Sequence, residues 1–174
     1  MLFLKRKKEN GFTLIELLVV IAIISLLSTV VMSSVSKARQ KAQYAKARVE
    51  IKQFINAATL AQQEKGNLRS ITGSGCSDCS CRGRDIRNIP ASDSCYIGWI
   101  NVITTIQNNT NGAVTNLTKM TRDSWGSPYG IDENDREGGP ADCRFDTIRT
   151  AGPDGILYNG DDMGFTINLS RPCP

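Results

Sequence analysis

The sequence contains no histidine. This absence excludes the Ser-His-Asp and Cys-His pairs, a histidine general base and the HExxH zinc helix. The nucleotide-binding patterns G-x-x-x-x-G-K-[ST] and G-x-G-x-x-G are missing as well. Paired carboxylates occur in acidic loops, where such clusters are usually solvated turns or metal loops. We therefore predict that the chain is not an enzyme.

Proline and glycine are absent from Val35 to Lys65, where alanine, lysine, glutamine and glutamate dominate. Gly66 follows directly, with Lys65 in the last turn, as is typical of a helix C-terminus. Apolar residues recur at three- and four-residue steps on one face: Ala47, Ile51, Phe54, Ala58 and Ala61. This periodicity predicts that residues 34–65 form an amphipathic helix packed on a domain.

Excess positive charge is confined to the start of the chain. The net charge is +4, and Lys5, Arg6, Lys7 and Lys8 against Glu9 supply +3 of it. The remainder is close to neutral, so no nucleic-acid partner is predicted. The basic cluster is typical of a cytoplasmic flank that sets membrane orientation.

From Phe12 to Met32 the only charged residue is Glu16. Such a run is long enough to cross a hydrocarbon core of roughly 30 Å as a helix. A cleaved secretory signal peptide is the alternative, but the run is too long and no small-x-small cleavage site follows promptly. We predict a membrane anchor that continues into the second helical half, giving one helix of roughly 80 Å at about 1.5 Å per residue.

The segment "GFTLIELLVVIAII" resembles the N-terminus of type IV pilins and type II secretion pseudopilins. The resemblance implies a leader, residues 1–11, that prepilin peptidase removes after Gly11. It implies N-methylation of Phe12, a transmembrane and filament-core segment at 12–33, and an assembly role for Glu16. Unlike many pilins, the chain has no helix-breaking glycine or proline between Phe12 and Gly66.

An unpaired carboxylate in an apolar setting costs several kcal/mol, so Glu16 should protonate or find a partner. In a stack of such helices, its carboxylate can reach the N-terminal amine of a neighbouring Phe12. That pairing fixes the axial register between subunits. A carboxylate that snorkels to the interface before assembly is the alternative.

Residues 66–174 are predicted to form a globular head. A polar, cysteine-rich loop follows Gly66, and residues 96–107 fit either a second helix or a buried strand. Short β-prone runs at 128–132, 143–151 and 163–169 predict an antiparallel sheet. The fold class is therefore α+β and pilin-like: one long N-terminal helix packed on a small head.

Two C-terminal segments, "RDSWGSPYGIDEND" and "RTAGPDGILYNGDDMG", resemble those of major pseudopilins. The resemblance implies a calcium-binding loop with Asp154, Asp161 and Asp162 as ligands, and carboxylate oxygens suit this hard cation. The loop lacks EF-hand spacing, and an acidic turn without metal is the alternative. Trp125 in the first segment is predicted to pack against the long helix.

Six cysteines lie beyond the anchor: Cys76, Cys79, Cys81, Cys95, Cys143 and Cys173. In an exported head, an even count favours disulfides. Cys143 and Cys173 flank the last two predicted strands, and the other four could form two bridges. A four-thiolate zinc site is the alternative, although the C-x-C spacing is unusual for one.

Taken together, the two resemblances predict a structural subunit of a membrane-assembled helical filament, favouring the pseudopilus of a type II secretion system. A type IV pilus subunit is the first alternative, and a membrane-tethered metal-binding module that never polymerises is the second. The implied partners are copies of the chain, other pilin-like subunits, prepilin peptidase and an inner-membrane assembly platform. The implied location is the cytoplasmic membrane, with the head outside, and then a periplasmic pseudopilus or a surface pilus.

Overall fold

The computed structural model describes residues 11–139 and 141–172; most of the predicted leader lies outside them. The helices are α1 (Leu14–Lys65), α2 (Leu68–Thr72) and α3 (Ser94–Asn108), and the strands are β1 (Gly130–Asp132), β2 (Asp146–Thr150) and β3 (Met163–Ile167). Short 3₁₀ turns lie at Cys79–Cys81 and Leu117–Lys119. The described residues divide into two compact units, with the boundary between Lys41 and Ala42.

The first unit presents apolar side chains that have no protein partner to cover them. Phe12 and Leu14 are each 88% exposed, and the apolar residues up to Val35 are exposed as well. Serine hydroxyls along this helix donate to carbonyls one turn back, as from Ser25 to Ile21 O over 2.7 Å and from Ser28 to Ile24 O over 2.7 Å. Their hydroxyl protons are thereby bonded within the helix, which makes the serines compatible with an apolar surrounding.

In the second unit, the predicted apolar stripe of helix α1 is confirmed. Its buried residues are Ala47, Ile51, Phe54, Ala57, Ala58, Ala61 and Gln62. The helix ends where the sequence predicted, because Gly66 adopts a φ of +92° and its N–H donates to Gln62 O over 2.8 Å. Glycine accepts this left-handed conformation without steric cost.

The head contains a three-stranded antiparallel sheet in the order β1-β2-β3. Ile148 in the central strand β2 pairs with Ile131 on one side and Phe165 on the other. Alternate residues of β2 are buried, so one face of the sheet covers the core. The predicted α+β class, with a long apolar N-terminal helix and a small C-terminal sheet domain, is confirmed.

Helix α3 settles the ambiguity over residues 96–107. Asp93 is its N-cap and accepts from Cys95 N–H over 2.9 Å. Trp99 is 1% exposed, and its ring lies 5.3 Å from that of Phe54 in α1 and 5.3 Å from that of Tyr129 before β1. Its indole N–H donates to Met120 O over 2.5 Å, so the one polar atom of the ring is satisfied. One aromatic cluster thus joins α1, α3 and the sheet.

Candidate functional site

The predicted cleavage position lies on accessible backbone. Gly11 and Phe12 precede helix α1 and are both exposed. A peptidase needs an extended, accessible backbone, and the residues from Leu14 onward are already helical. The bond between Gly11 and Phe12 is therefore reachable without unwinding the helix.

Thr13 and Glu16 form a reciprocal cap at the start of α1. Oε2 of Glu16 accepts from the Thr13 N–H over 2.8 Å and from the Thr13 hydroxyl over 2.7 Å. The Glu16 N–H donates to the Thr13 hydroxyl oxygen over 3.3 Å. This is the capping-box arrangement, whose T-x-x-E signature stands in the sequence although we did not predict the cap. Glu16 therefore has a local partner within its own chain.

Helix α1 is the one helix, within the described ranges, that is long and apolar enough to cross a membrane. Length and composition alone meet this criterion, and a signal sequence near an N-terminus meets it as well. None of the residues in the most apolar 18-residue stretch of the helix is buried inside the protein.

Residues 6–32 match the family model described as the prokaryotic N-terminal methylation motif. The chain carries this methylation motif. The match covers the N-terminal segment only, and it supports a type IV pilin-like structural subunit. It implies processing by prepilin peptidase and assembly with other pilin subunits, and it fits an inner-membrane anchor. No curated protein and no solved structure matches the chain.

The head of this pilin-like chain carries the predicted acidic loop between β2 and β3. Two glycines shape it, with φ of +61° at Gly152 and +75° at Gly155. A Cβ at Gly152 would lie 2.7 Å from Asp161 O, so only glycine lets the two ends of the loop approach this closely. Asp154 closes the loop from within, because its carboxylate accepts from Ile156 N–H over 2.8 Å and from Asn159 Nδ2 over 2.6 Å.

The three predicted ligands bond mainly to loop backbone. Asp161 Oδ2 accepts from Asp154 N–H over 3.3 Å, and Asp162 Oδ2 accepts from Tyr158 N–H over 2.5 Å. The other oxygen of Asp162, Oδ1, is buried without a hydrogen-bond partner. Partial burial raises the pKa of Asp162, and neighbouring Asp161 raises it further.

Tyr44 of helix α1 contacts the acidic loop. Its hydroxyl donates to Asp161 O over 2.8 Å. Burial raises the pKa of Tyr44, and the charges of Asp161, Asp162 and Asp154 raise it further. The three carboxylates do not converge on one point, however. In residues 11–139 and 141–172, the one group of three ligand atoms within 4.8 Å of one another comes from Cys76, Asp78 and Cys79.

Four cysteines pair locally as two disulfides, Cys76–Cys79 and Cys81–Cys95. Because each sulfur is bonded to its partner in a disulfide, these four cysteines are not the four thiolates that the zinc alternative requires. Cys143 is also disulfide-bonded. Cys173 lies outside the described residues, and its predicted pairing with Cys143 stays a prediction.

Tyr158 is a site residue that sequence reasoning missed. It lies inside the acidic loop, and its hydroxyl donates to Asp78 Oδ2 in the cysteine-rich loop over 2.6 Å. The guanidinium carbons of Arg149 and Arg82 lie 4.0 Å and 4.6 Å from the centre of its ring. Burial, followed by the bond to Asp78, raises the pKa of Tyr158. No spacing pattern links residues 80 positions apart, so the sequence held no signal for this contact.

The turn that contains Asp123 and Trp125 connects helix α1 to the sheet, and the predicted packing of Trp125 is confirmed. Its ring lies 4.8 Å from that of Tyr44 in an edge-on arrangement. Asp123 organises the turn through one oxygen that accepts from Trp125 N–H and Ser127 N–H, each over 2.9 Å. Its second oxygen accepts from the Thr150 hydroxyl over 2.5 Å. Burial raises the pKa of Asp123, although these bonds oppose the rise.

Proposed function

We propose that the chain is the precursor of a structural filament subunit, cleaved between Gly11 and Phe12 and methylated on Phe12. The observation that carries this proposal is the uncovered apolar segment of α1, which coincides with the methylation motif at residues 6–32. An apolar helix surface of this length needs lipid or other apolar helices around it. A helical filament supplies the second kind of surrounding once the subunit leaves the membrane.

Glu16 has a different partner at each stage of this route. Within one chain it caps α1 through Thr13. In the filament, its carboxylate pairs with the amine that cleavage creates on Phe12 of a neighbouring subunit. Pairing a carboxylate with an amine removes two unfavourable isolated charges from the apolar interior and fixes the axial position of one helix against the next.

Among filaments, we propose the pseudopilus of a type II secretion system, with this chain as its major subunit. The support comes from the two C-terminal segments, residues 122–135 and 149–164, which resemble those of major pseudopilins. A type IV pilus subunit, major or minor, is the second candidate, and it is favoured by the cysteine-rich loop, which departs from the usual pseudopilin head.

We further propose that the acidic loop takes calcium. Asp162 offers a buried oxygen without a partner, an arrangement that a bound cation would satisfy. Asp161 and Asp154 add two carboxylates in the same loop, where Asp161 Oδ2 accepts from Asp154 N–H over 3.3 Å. When bound, the cation supplies a charge that offsets the repulsion among the three carboxylates. These side chains would then hold the segment between β2 and β3 in one conformation, which favours regular packing of heads.

The first test is the intact mass of the protein purified from its own cell envelope. We expect a chain that begins at Phe12 and is one methyl group heavier than the unmodified sequence. A chain that still begins at Met1 would contradict the proposal and favour a tethered, non-polymerising module.

The second test separates assembly from anchoring. Glu16→Ala should abolish or strongly reduce cross-linked multimers in the envelope, while the amount of membrane-inserted monomer stays unchanged. Glu64→Ala, which removes an exposed acid near the end of the same helix, is the matched control and should assemble normally. Normal multimers in Glu16→Ala would contradict the filament role. Two further measurements then distinguish the pseudopilus from a pilus. Loss of export of a secreted protein in Glu16→Ala would favour the pseudopilus, and loss of fibres that can be sheared from the cell surface would favour the pilus.

A further inference from the structure

We propose that Tyr158 is a positioning residue that ties the acidic loop to the Cys76–Cys79 disulfide, so that reduction of this disulfide weakens cation binding at the loop. The cation part of this inference rests on the proposed calcium function. The contact between the two loops stands on the geometry of the chain by itself.

The backbone of Tyr158 contacts the side chain of Asp162. It adopts a φ of +73°, which is unusual for a residue other than glycine, asparagine or aspartate. A side chain in this conformation is sterically unfavourable, so surrounding contacts must hold it there. In this conformation its N–H donates to Asp162 Oδ2 over 2.5 Å. The backbone of Tyr158 therefore orients the carboxylate that has the buried, partnerless oxygen.

The side chain of Tyr158 supplies the contacts that hold the backbone. Its hydroxyl donates to Asp78 Oδ2 over 2.6 Å, and the guanidinium groups of Arg82 and Arg149 lie against its ring. Asp78 is 1% exposed, and its other oxygen accepts from Arg82 Nη2 over 2.7 Å and from Arg82 Nε over 3.0 Å. A hydrogen bond to a buried carboxylate is stronger than one to an exposed carboxylate, so this contact is a strong link between the two loops.

The disulfide and two backbone hydrogen bonds together hold Asp78 in position. Asp78 lies between Cys76 and Cys79, which are bonded to each other at a separation of three residues. Its N–H donates to Ile131 O of strand β1 over 3.0 Å, and its carbonyl accepts from Cys81 N–H over 2.8 Å. Cutting the disulfide gives the backbone on both sides of Asp78 more freedom. The carboxylate then spends less time where Tyr158 can reach it.

The two described pairs differ in their access to a reductant. Cys79 is exposed and Cys76 half-buried, whereas Cys81 and Cys95 are both buried. A dithiol reductant in solution can therefore reduce Cys76–Cys79 first. It gives two electrons and two protons to the disulfide, which becomes two thiols, and is itself oxidised to a disulfide. By linkage, if reduction lowers cation affinity, then a bound cation must disfavour reduction by the same factor.

The experiment uses the full chain in detergent micelles and compares Tyr158→Phe with Tyr96→Phe. Tyr96 packs against Arg122, 4.5 Å from its guanidinium carbon, and belongs to neither loop. The first measurement needs no metal: hydrogen exchange of the backbone amides at 154–162 in chelator-treated protein. We expect exchange to be faster by about tenfold in Tyr158→Phe and unchanged in Tyr96→Phe. Equal exchange in the two variants would overturn the contact as a positioning device.

The second measurement is the dissociation constant for calcium ions, before and after mild dithiol treatment that mass spectrometry shows to open Cys76–Cys79 only. We expect affinity to fall by about tenfold on reduction and in Tyr158→Phe. The double variant Cys76→Ser/Cys79→Ser should start at the low affinity and not respond to dithiol. Asp78→Asn gives a second way to loosen the contact if the double variant fails to fold.

The outcomes separate this inference from the proposed calcium function. If the untreated chain binds no calcium ion but Tyr158→Phe still exchanges faster, the calcium proposal fails and the redox link to cation binding is overturned with it. If the chain binds calcium ions with an affinity that reduction does not change, the calcium proposal stands and this inference is overturned.

Discussion

The N–H of Thr13 donates to Oε2 of Glu16 over 2.8 Å, and the N–H of Glu16 donates back to the Thr13 hydroxyl over 3.3 Å. The residue that we propose for filament assembly is thus already hydrogen-bonded at the start of its own helix. To cap the helix, the side chain at position 16 needs only a hydrogen-bond acceptor. To pair with the amine of a neighbouring subunit, it needs a negative charge. This difference makes the two roles separable by substitution.

We predict that Glu16→Gln retains the cap but loses assembly. Glutamine fits the capping box as well as glutamate, yet it has no charge to pair with an amine. Thr13→Ala removes the two hydroxyl bonds of the cap, at a cost of about 1 kcal/mol to the helix start, and should still assemble. Cross-linked multimers in the envelope measure both variants. If Thr13→Ala fails to assemble and Glu16→Gln succeeds, the cap rather than the charge determines assembly.

The acidic loop gives a prediction for metal binding. Asp162→Asn should lower the affinity for calcium ions by at least about tenfold, because calcium sites depend on the number of charged oxygen ligands. Titration calorimetry on the full chain measures the affinity. Glu137→Gln, which removes an exposed acid from the loop that follows β1, should leave it unchanged. Equal affinity in the two variants would exclude Asp162 as a ligand.

Asp146 gives a prediction for pH dependence. It is 1% exposed at the start of β2, and burial raises its pKa to about 7, with a smaller contribution from the charges of Asp135 and Glu133. Its Oδ1 accepts from Asp135 N–H over 2.7 Å, whereas its Oδ2 is buried without a partner. Arg136 Nε lies 3.8 Å from Asp135 Oδ1.

The sign follows from the direction of this shift. Asp146 binds its proton more tightly in the folded chain than in the unfolded one, where the pKa of an aspartate is about 3.9. Its contribution to stability is therefore full below about pH 4 and is lost as the pH rises to about 7. Asp146→Asn should be more stable than the unsubstituted chain at pH 8 by about 2 to 4 kcal/mol, and the difference should shrink towards pH 5. Chemical unfolding at both pH values measures it; a less stable variant at pH 8 would mean that Asp146 is ionised and paired.

The aromatic cluster predicts a strong effect from one core residue of α1. Phe54 is fully buried and lies 5.3 Å from the Trp99 ring, so Phe54→Ala should lower the free energy of unfolding of the head by about 3 to 5 kcal/mol. Val49→Ala on the same helix, where the side chain is 55% exposed, should change it by less than about 0.5 kcal/mol. Comparable losses in the two variants would mean that this half of the helix does not pack on the head.

The second disulfide should contribute more to stability than the first. Cys81 and Cys95 are 14 positions apart in the sequence, whereas Cys76 and Cys79 are three positions apart, so Cys81–Cys95 closes the longer loop. Both Cys81 and Cys95 are buried. Loop-closure entropy gives about 3 kcal/mol for a loop of this length. Paired replacement of Cys81 and Cys95 by serine should therefore lower the midpoint of thermal unfolding more than paired replacement of Cys76 and Cys79. The reverse order would place the main structural bridge at the exposed pair.

Much of helix α1 could be predicted because its signals are local. The apolar run, the stripe that includes Ile51 and Phe54, and the stop at Gly66 all lie within a few residues of each other. Residues 96–107 could not be assigned, since a short apolar run fits a helix as well as a buried strand. The N-cap at Asp93 and the packing of Trp99 on Phe54 decided for the helix.

The sequence by itself determined the N-terminal features of this protein: the candidate cleavage position at Gly11, the carboxylate of Glu16 and the apolar helix around it. Only the tertiary structure brought Tyr158 to Asp78, and Asp135 to Asp146. A helix is built from bonds between residues three or four positions apart, so a linear pattern records it. Contacts between loops depend on how the sheet and α3 pack on α1, and no periodicity in the sequence records that packing.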